Sequence, residues 1–240
     1  MPPILEHYKR LGLAPRTVID VGVGPGTAEL YAALRGAHLL LVEPLEEWRS
    51  HMEAISTVRP TDIVLAAAGA KGGETQISVH PAPWNSSVLG APRGEDMEQE
   101  WRTIPVVRLD DVVRDLGLTG PYVLKVDVEG GELDVLAGAT DLLAETDLVL
   151  LELSLFDLVP GSAQFHDVVA WMHDHGFVLS EFYDGHNRPL DGSLAKFDGA
   201  FVREDGRFRQ SQAYATAQQA RERYADIRWE EHAPDADAHR

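Results

Sequence analysis

Apolar runs alternate with helix-compatible stretches along the first part of the chain. The apolar runs cover residues 18–21, 38–43 and 62–69, and the stretches 27–34 and 45–56 between them have the composition of helices. Continuous apolar runs are typical of strands that are buried on both faces of a parallel sheet. Because strands alternate with helices, this part of the chain predicts βαβ units.

The same rhythm returns in the second half of the chain. Residues 121–127 and 147–153 are predicted to form buried strands, and residues 163–175 an amphipathic helix. Residues 177–183 and 199–203 predict two final strands that could form an antiparallel pair. The complete pattern predicts an α/β fold with a doubly wound, mostly parallel seven-stranded sheet and helices on both faces.

A change of pattern interrupts the sheet-forming sequence in the middle of the chain. Residues 74–80 alternate polar and apolar side chains, whereas residues 81–97 are rich in Pro, Gly, Asn and Ser and have no periodicity. We interpret residues 70–108 as an insertion within one domain that covers residues 1–208. Residues 209–240 are predicted to form a C-terminal helix and a frayed tail. Long loops in compact domains are often functional, so the insertion is expected to influence the choice of substrate.

A glycine turn follows the first predicted strand. Asp20 ends the strand, and Gly22, Gly24 and Gly26 follow at alternate positions. Glycines let a backbone approach a bound molecule, and the start of the next helix offers unpaired N–H groups. A dinucleotide fingerprint would need a third glycine where Thr27 stands. The Asp-x-Gly-x-Gly-x-Gly pattern instead resembles motif I of the class I methyltransferases, which bind S-adenosyl-L-methionine; tight packing in an ordinary strand-turn-helix is the alternative.

Two further positions fit a nucleoside cofactor. Glu43 closes the second strand about twenty residues after the glycines, where an acidic side chain can accept both ribose hydroxyls, and Pro44 follows it. Ala67 and Ala68 end the third strand with small side chains that leave room for a purine. A solvated carboxylate at Glu43 and simple packing at the alanines are the alternatives. An NAD-binding protein would share the acidic residue.

The segment from Lys125 to Glu132 is the most specific in the chain. Strand alternation places Lys125, Asp127 and Glu129 on one side, and a buried lysine needs a carboxylate partner or a ligand. The segment reads Lys-Val-Asp-Val-Glu-Gly-Gly-Glu, and the next predicted strand ends at Glu152. With the glycine turn, it resembles the FkbM family of class I methyltransferases over roughly residues 17–203.

The resemblance implies methyl transfer from S-adenosyl-L-methionine to a hydroxyl of a sugar, a polyketide or another secondary metabolite. An alcohol must lose its proton, so a base or a metal is expected near the methyl group. Asp127 and Glu129 are candidates for a base or for orientation, and Lys125 would hold them or the substrate oxygen. Helix capping by Asp127 and a structural Lys125–Glu129 pair are the alternatives. Asp127 and Glu152 permit a Mg²⁺ site but do not require one.

The loop within the insertion carries the predicted substrate contacts. Trp84 could form an aromatic wall, and Asn85 and Ser86 could donate to or accept from hydroxyl groups of the acceptor. An ordinary polar turn that is anchored by a buried tryptophan is the alternative.

Charge and composition narrow the function classes. The chain has 21 Lys and Arg against 39 Asp and Glu, a formal net charge of −18, which disfavours nucleic acids and anionic membranes as partners. It has no cysteine, which excludes disulfides, thiolate zinc sites and cysteine nucleophiles and leaves the cytoplasm as the expected compartment. A small-molecule acceptor is what the resemblance to the FkbM family implies. An NAD-dependent oxidoreductase and a non-catalytic ligand-binding protein are the competing hypotheses.

Overall fold

The computed structural model describes residues 1–94 and 100–225. The chain divides into two compact units, Met1–Phe208 and Arg209–Arg240. In the second unit, helix α8 (Ala217–Tyr224) begins with a capping box between Thr216 and Gln219. The predicted frayed tail and the last residues of the predicted loop lie outside the described residues.

The first unit is built on a seven-stranded sheet with the order β3-β2-β1-β7-β8-β10-β9. Its central strands are parallel, and β10 is antiparallel to both of its neighbours. This arrangement confirms the predicted doubly wound, mostly parallel sheet. The strands of this sheet are β1 (Thr17–Val21), β2 (His38–Val42), β3 (Thr61–Val64), β7 (Tyr122–Val126), β8 (Thr146–Ser154), β9 (Phe177–Asn187) and β10 (Leu194–Arg203).

Helices cover both faces of the sheet because the central strands carry apolar side chains on both faces. Val18 and Ile19, neighbours on β1, belong to two different hydrophobic clusters. One cluster includes residues of the first three helices, and the other includes residues of the next four. These helices are α1 (Pro2–Arg10), α2 (Ala28–Ala33), α3 (Arg49–Ser56), α4 (Leu109–Asp115), α5 (Glu132–Ala137), α6 (Thr140–Ala144) and α7 (Phe165–Asp174).

Two strands of the predicted insertion and a short strand just before it form a second, three-stranded sheet with the order β4-β6-β5. Its strands are β4 (Ala67–Ala68), β5 (Gly73–Val79) and β6 (Glu100–Val107). The single strand predicted over residues 62–69 is wrong, because β3 ends at Val64 and β4 leaves the main sheet to pair with Val106 and Val107. The alternating residues 74–80 correspond to β5, and β6 completes the sheet.

The last two strands are longer than the pattern predicts. Strand β10 begins at Leu194, five residues before the predicted start at Gly199, and pairs antiparallel with β9 as expected. The pairing of its first half with β9 has register shifts. This half also carries the charged residues Lys196 and Asp198, so it lacks the apolar pattern from which a strand is predicted. The extra length brings both residues to the carboxyl ends of the parallel strands, opposite Ser154 and Glu152 of β8.

Candidate functional site

The glycine turn closes directly against the end of β7. Gly22 adopts φ +75°, its N–H donates to the Val42 carbonyl at 2.9 Å, and an added Cβ would lie 1.8 Å from the Asp127 carbonyl oxygen. Gly24, at φ +51°, faces open space. The first glycine therefore provides room for β7, and the second leaves a free surface above the turn.

Glu43 is bound to this turn through its own carboxylate. One oxygen accepts from the Gly24 N–H at 3.1 Å and the other from the Leu45 N–H at 2.9 Å. The side chain is only 5% exposed, and burial raises the pKa of the carboxyl above its ordinary value while the two N–H donors oppose the shift. A carboxylate offers more lone pairs than these two bonds use, so Glu43 can still accept from a ligand.

Asp20 lies beneath the turn and is fully buried. Its Oδ2 accepts from the Thr27 hydroxyl at 2.9 Å and from the Tyr31 hydroxyl at 2.5 Å, which fixes the start of α2. Its Oδ1 has no hydrogen-bond partner among the described residues and lies 3.5 Å from Lys125 Nζ. Burial and the Asp20 charge raise the pKa of Tyr31. Asp20 therefore supports the turn and does not reach the surface of the cleft described below.

Lys125 joins Asp20 to Asp127. The residue is 9% exposed, and its ammonium lies 3.2 Å from Asp127 Oδ2. Burial alone would lower the pKa of Lys125, but the two carboxylates outweigh burial, so its pKa lies above the ordinary value. Helix α5 begins after Gly131 without a side-chain cap, so Asp127 is not its cap. The Asp127 side chain is instead paired with Lys125 and is 38% exposed at the edge of the sheet.

Glu129 and Glu152 meet at a second lysine, Lys196. The Lys196 ammonium lies 2.5 Å from Glu129 Oε2 and 2.8 Å from Glu152 Oε2, so Glu129 does not pair with Lys125 as one alternative proposed. Oxygens of Asp127, Glu129 and Glu152 also come within 4.8 Å of one another, where two like charges repel by roughly 3 kcal/mol at an effective dielectric constant near 20. The ammonium offsets part of that repulsion.

Three carboxyl groups around this cluster, one buried and two partly buried, have raised pKa values. Burial raises the pKa of Glu152, helped by Asp127 and opposed by Lys196. Burial also raises the pKa of Asp198 to about 7, again helped by Asp127, and that of Glu132 to about 7. Burial thus raises the pKa of all three groups in the same direction, towards neutral pH.

These features surround one cleft with a volume of about 330 Å³. Most of the predicted site residues line it, whereas Asp20, Asn85 and Glu152 do not. The predicted residues in its wall are Gly22, Gly24, Gly26, Glu43, Pro44, Ala67, Ala68, Trp84, Ser86, Lys125, Asp127 and Glu129. The glycine turn, the end of β2, the insertion and the end of β7 thus meet in a single concave surface.

The predicted substrate loop contributes one wall of this cleft. Trp84 lies in a short 3₁₀ helix (Pro83–Asn85) and is 60% exposed. Ser86 accepts from the His80 N–H at 3.0 Å, and the Ser87 hydroxyl donates to the Glu129 carbonyl at 2.8 Å. The loop is therefore anchored to the residue that Lys196 also holds.

Sequence reasoning missed Lys196 and Asp198 as members of the site. Asp198 lines the cleft, and Lys196 pairs with two of the predicted catalytic residues. A signal was present, because Lys196-Phe197-Asp198 repeats the Lys-x-Asp spacing of Lys125-Val126-Asp127. That spacing places both charges on one face of a strand.

A family profile described as the methyltransferase FkbM domain matches residues 20–179, more than half of the chain. This chain belongs to the FkbM methyltransferase family. The match begins at the glycine turn and includes the Lys125–Glu132 segment, so it confirms the resemblance that those motifs indicate.

One curated relative of this FkbM chain is the hexuronic acid methyltransferase AglP of Haloferax volcanii. The two are 28% identical over 135 residues, which cover 56% of this chain and 54% of the relative. The chain therefore spans about half the length of the curated relative that it matches.

Solved methyltransferase structures resemble the chain more weakly. The magnesium protoporphyrin IX methyltransferase of Synechocystis PCC 6803 with bound SAM is 12% identical, with a TM-score of 0.47 and coverage of 84% of this chain and 75% of that one. The 1,6-didemethyltoxoflavin-N1-methyltransferase of Burkholderia thailandensis is 13% identical, with a TM-score of 0.43 and coverage of 84% and 76%. Among the described residues, no helix is long and apolar enough to cross a membrane.

Proposed function

We propose that this protein is an S-adenosyl-L-methionine-dependent O-methyltransferase that acts on a hydroxyl group of a small molecule. One observation carries the proposal: the glycine turn, Glu43 and the Lys125–Asp127 pair line the same cleft. In open α/β folds, ligands bind outside the carboxyl ends of the strands at the point where the strand order reverses. Here β1 has β2 on one side and β7 on the other, so that point lies between the two motifs.

The cofactor would lie over the glycine turn. Glu43 would accept from the ribose hydroxyls, and Ala67 and Ala68, which line the cleft, would leave space for the purine. Gly24, which faces open space, would let the methionine part approach the backbone. The sulfonium methyl group would then point towards the end of β7.

The acceptor hydroxyl would meet Asp127. Its carboxylate is exposed enough to reach a ligand and is held at 3.2 Å by Lys125. In the transfer, the acceptor oxygen forms a bond to the methyl carbon as the carbon–sulfur bond breaks, and Asp127 takes the hydroxyl proton. Because the sulfonium is already activated, most of the rate enhancement would come from orientation, worth roughly 7–11 kcal/mol in well-aligned systems.

The exposed Trp84 supports a sugar or another ring-shaped acceptor, because an aromatic face packs well against such rings. The name of the Haloferax volcanii relative, a hexuronic acid methyltransferase, agrees with a sugar-like acceptor. The net charge of −18 argues against a nucleic acid acceptor.

The test is a mass-spectrometric screen with isotopically labelled S-adenosyl-L-methionine. Neutral sugars, uronic acids, hydroxylated macrocycles and a short RNA would be incubated with the wild type and with Asp127→Asn. We expect one labelled methyl group on a hydroxyl oxygen of one small-molecule class, and none on the RNA. Transfer to RNA, or to nitrogen or carbon only, would contradict the proposal, and cofactor binding without any transfer would favour the non-catalytic alternative.

A further inference from the structure

The carboxylates of Asp127, Glu129 and Glu152 converge from separate parts of the chain. Their oxygens lie within 4.8 Å of one another, a spacing that suits a divalent cation. Glu152 lies within β8, while Asp127 and Glu129 follow the end of β7. Carboxylates this close to one another repel and need a positive charge nearby.

Lys196 supplies that charge from within the fold. Its ammonium contacts two of the three carboxylates, at 2.5 Å for Glu129 and 2.8 Å for Glu152, and its side chain is only 19% exposed. The pairing of β9 with β10 shifts register on both sides of this residue, whose Cα is the partner of Ser154 on β8. The lysine is therefore held in place by the sheet, with its ammonium between Glu129 and Glu152.

We propose that the Lys196 ammonium takes the place of a divalent cation in this carboxylate cluster and positions Glu129, which lines the cleft, for catalysis without a metal. Glu129 adopts a left-handed conformation, φ +55°, which is costly for a residue with a side chain and needs support from its surroundings. That support comes from two sides: Lys196 holds its carboxylate, and the Ser87 hydroxyl donates to its carbonyl at 2.8 Å. Lys196 is thus a positioning residue that joins β10 to the substrate loop.

Removing the charge of Lys196 should change how the cluster binds a metal ion. Lys196→Met keeps the length of the side chain but removes the charge, so Glu129 and Glu152 are left without their cation while Asp127 keeps Lys125. We expect the variant to gain a Mn²⁺ site that the wild type lacks. Calorimetric titration with Mn²⁺ should give a saturable isotherm for Lys196→Met, with an affinity at least about tenfold above that of the wild type. Adding Glu152→Gln to the variant should abolish the gain.

The matched control is Lys9→Met. Lys9 pairs with Glu6 on the exposed surface of α1, and its loss leaves the cluster untouched. This variant should bind Mn²⁺ no better than the wild type. Thermal unfolding gives a second readout: Lys196→Met should melt below the wild type and recover when Mn²⁺ is added, whereas the wild type and the control should not respond.

Two results would overturn the proposal. One is a folded Lys196→Met that binds no Mn²⁺. The other is saturable Mn²⁺ binding by the wild type that Glu129→Gln removes, and this measurement decides the matter even if Lys196→Met does not fold.

The positioning role rests on the proposed function, and it has its own readout. Once an acceptor is identified, Lys196→Met should lower kcat by a larger factor than it changes the KM for the acceptor. Added Mn²⁺ should then restore kcat. Restoration by Mn²⁺ is not expected of a residue that only stabilises the fold. The titrations themselves need neither cofactor nor acceptor, so a failure of methyl transfer and a failure of the cation exchange are distinguishable.

Discussion

Lys125 and Asp20 are register partners on neighbouring parallel strands, and the ammonium of one lies 3.5 Å from the carboxylate of the other. This pair joins the two sequence motifs of the chain inside the sheet. Asp20 also holds the start of α2 through Thr27 and Tyr31, and Lys125 holds Asp127. The buried pair therefore connects the wall that would bind the cofactor to the residue that would bind the acceptor.

Removing the lysine should destabilise the fold. In Lys125→Met the fully buried Asp20 loses its counter-charge, and breaking a buried pair from one side typically costs about 3–5 kcal/mol. Urea unfolding should report a loss of that size, while Lys9→Met on the surface should change the free energy of unfolding by less than about 0.5 kcal/mol. Equal stability of the two variants would mean that Asp20 does not depend on Lys125.

The glycine turn offers a matched pair of substitutions. An alanine at Gly22 would place its Cβ 1.8 Å from the Asp127 carbonyl at φ +75°, whereas an alanine at Gly36 would meet nothing within 4 Å. Gly22→Ala should therefore unfold the protein or lower its stability by at least about 3 kcal/mol, and Gly36→Ala should stay close to the wild type. Thermal unfolding of both variants checks this, and a stable, cofactor-binding Gly22→Ala would contradict the close approach of β1 and β7.

Asp127→Asn tests the predicted base. The substitution keeps the shape of the side chain but removes the charge that takes the proton, so turnover should fall by roughly 10²-fold or more. Affinity for S-adenosyl-L-methionine should change little, because the cofactor would contact the glycine turn and Glu43. The control is Asp115→Asn at the exposed end of α4, which should retain full activity. A variant Asp127→Asn with wild-type turnover would exclude a role for the charge.

The buried carboxyl of Glu132 should make stability depend on pH. Its pKa is raised by burial from 4.5 to about 7, so between these values the folded protein keeps a proton that the unfolded chain has released. The free energy of unfolding should therefore fall as the pH rises through this window. Glu132→Gln mimics the protonated form and should remove roughly 1–3 kcal/mol of that fall, measured by urea unfolding at several pH values. An identical slope in both proteins would show that Glu132 is ionised throughout.

Much of the fold could be predicted because its central strands are buried on both faces. The continuous apolar runs before Asp20, Glu43 and Asp127 leave few alternatives to a parallel sheet, and the carboxyl ends of such strands meet at one edge. The glycine spacing and the Lys125–Glu132 segment then identify the family. Each of these features is contained in a short stretch of sequence, so it can be recognised without knowing how distant segments pair.

The missing parts depend on pairing between distant segments. Strand β4 does not belong to the main sheet, because Ala67 and Ala68 pair with Val106 and Val107. No residue near position 67 indicates this pairing. The first half of β10 alternates charged and apolar residues, which is the pattern of a strand with one face in solvent. Only the pairing with β8 shows that Lys196 and Asp198 lie beside other charged residues. The partners of Lys196, Glu129 and Glu152, lie 67 and 44 residues away from it in the sequence.

Calorimetric titration with S-adenosyl-L-methionine tests the central claim most directly. The wild type should bind one molecule per chain and should not bind NADH. Glu43→Ala should bind S-adenosyl-L-methionine at least about tenfold more weakly, a loss of about 1.4 kcal/mol, while Glu46→Ala, at an exposed position of the 3₁₀ helix Glu46–Trp48, should bind like the wild type. Because Glu43 also holds the N–H groups of Gly24 and Leu45, thermal unfolding would confirm that the variant is folded. No binding by the wild type, or an unchanged affinity in a folded Glu43→Ala, would contradict the assignment of this cleft to the cofactor.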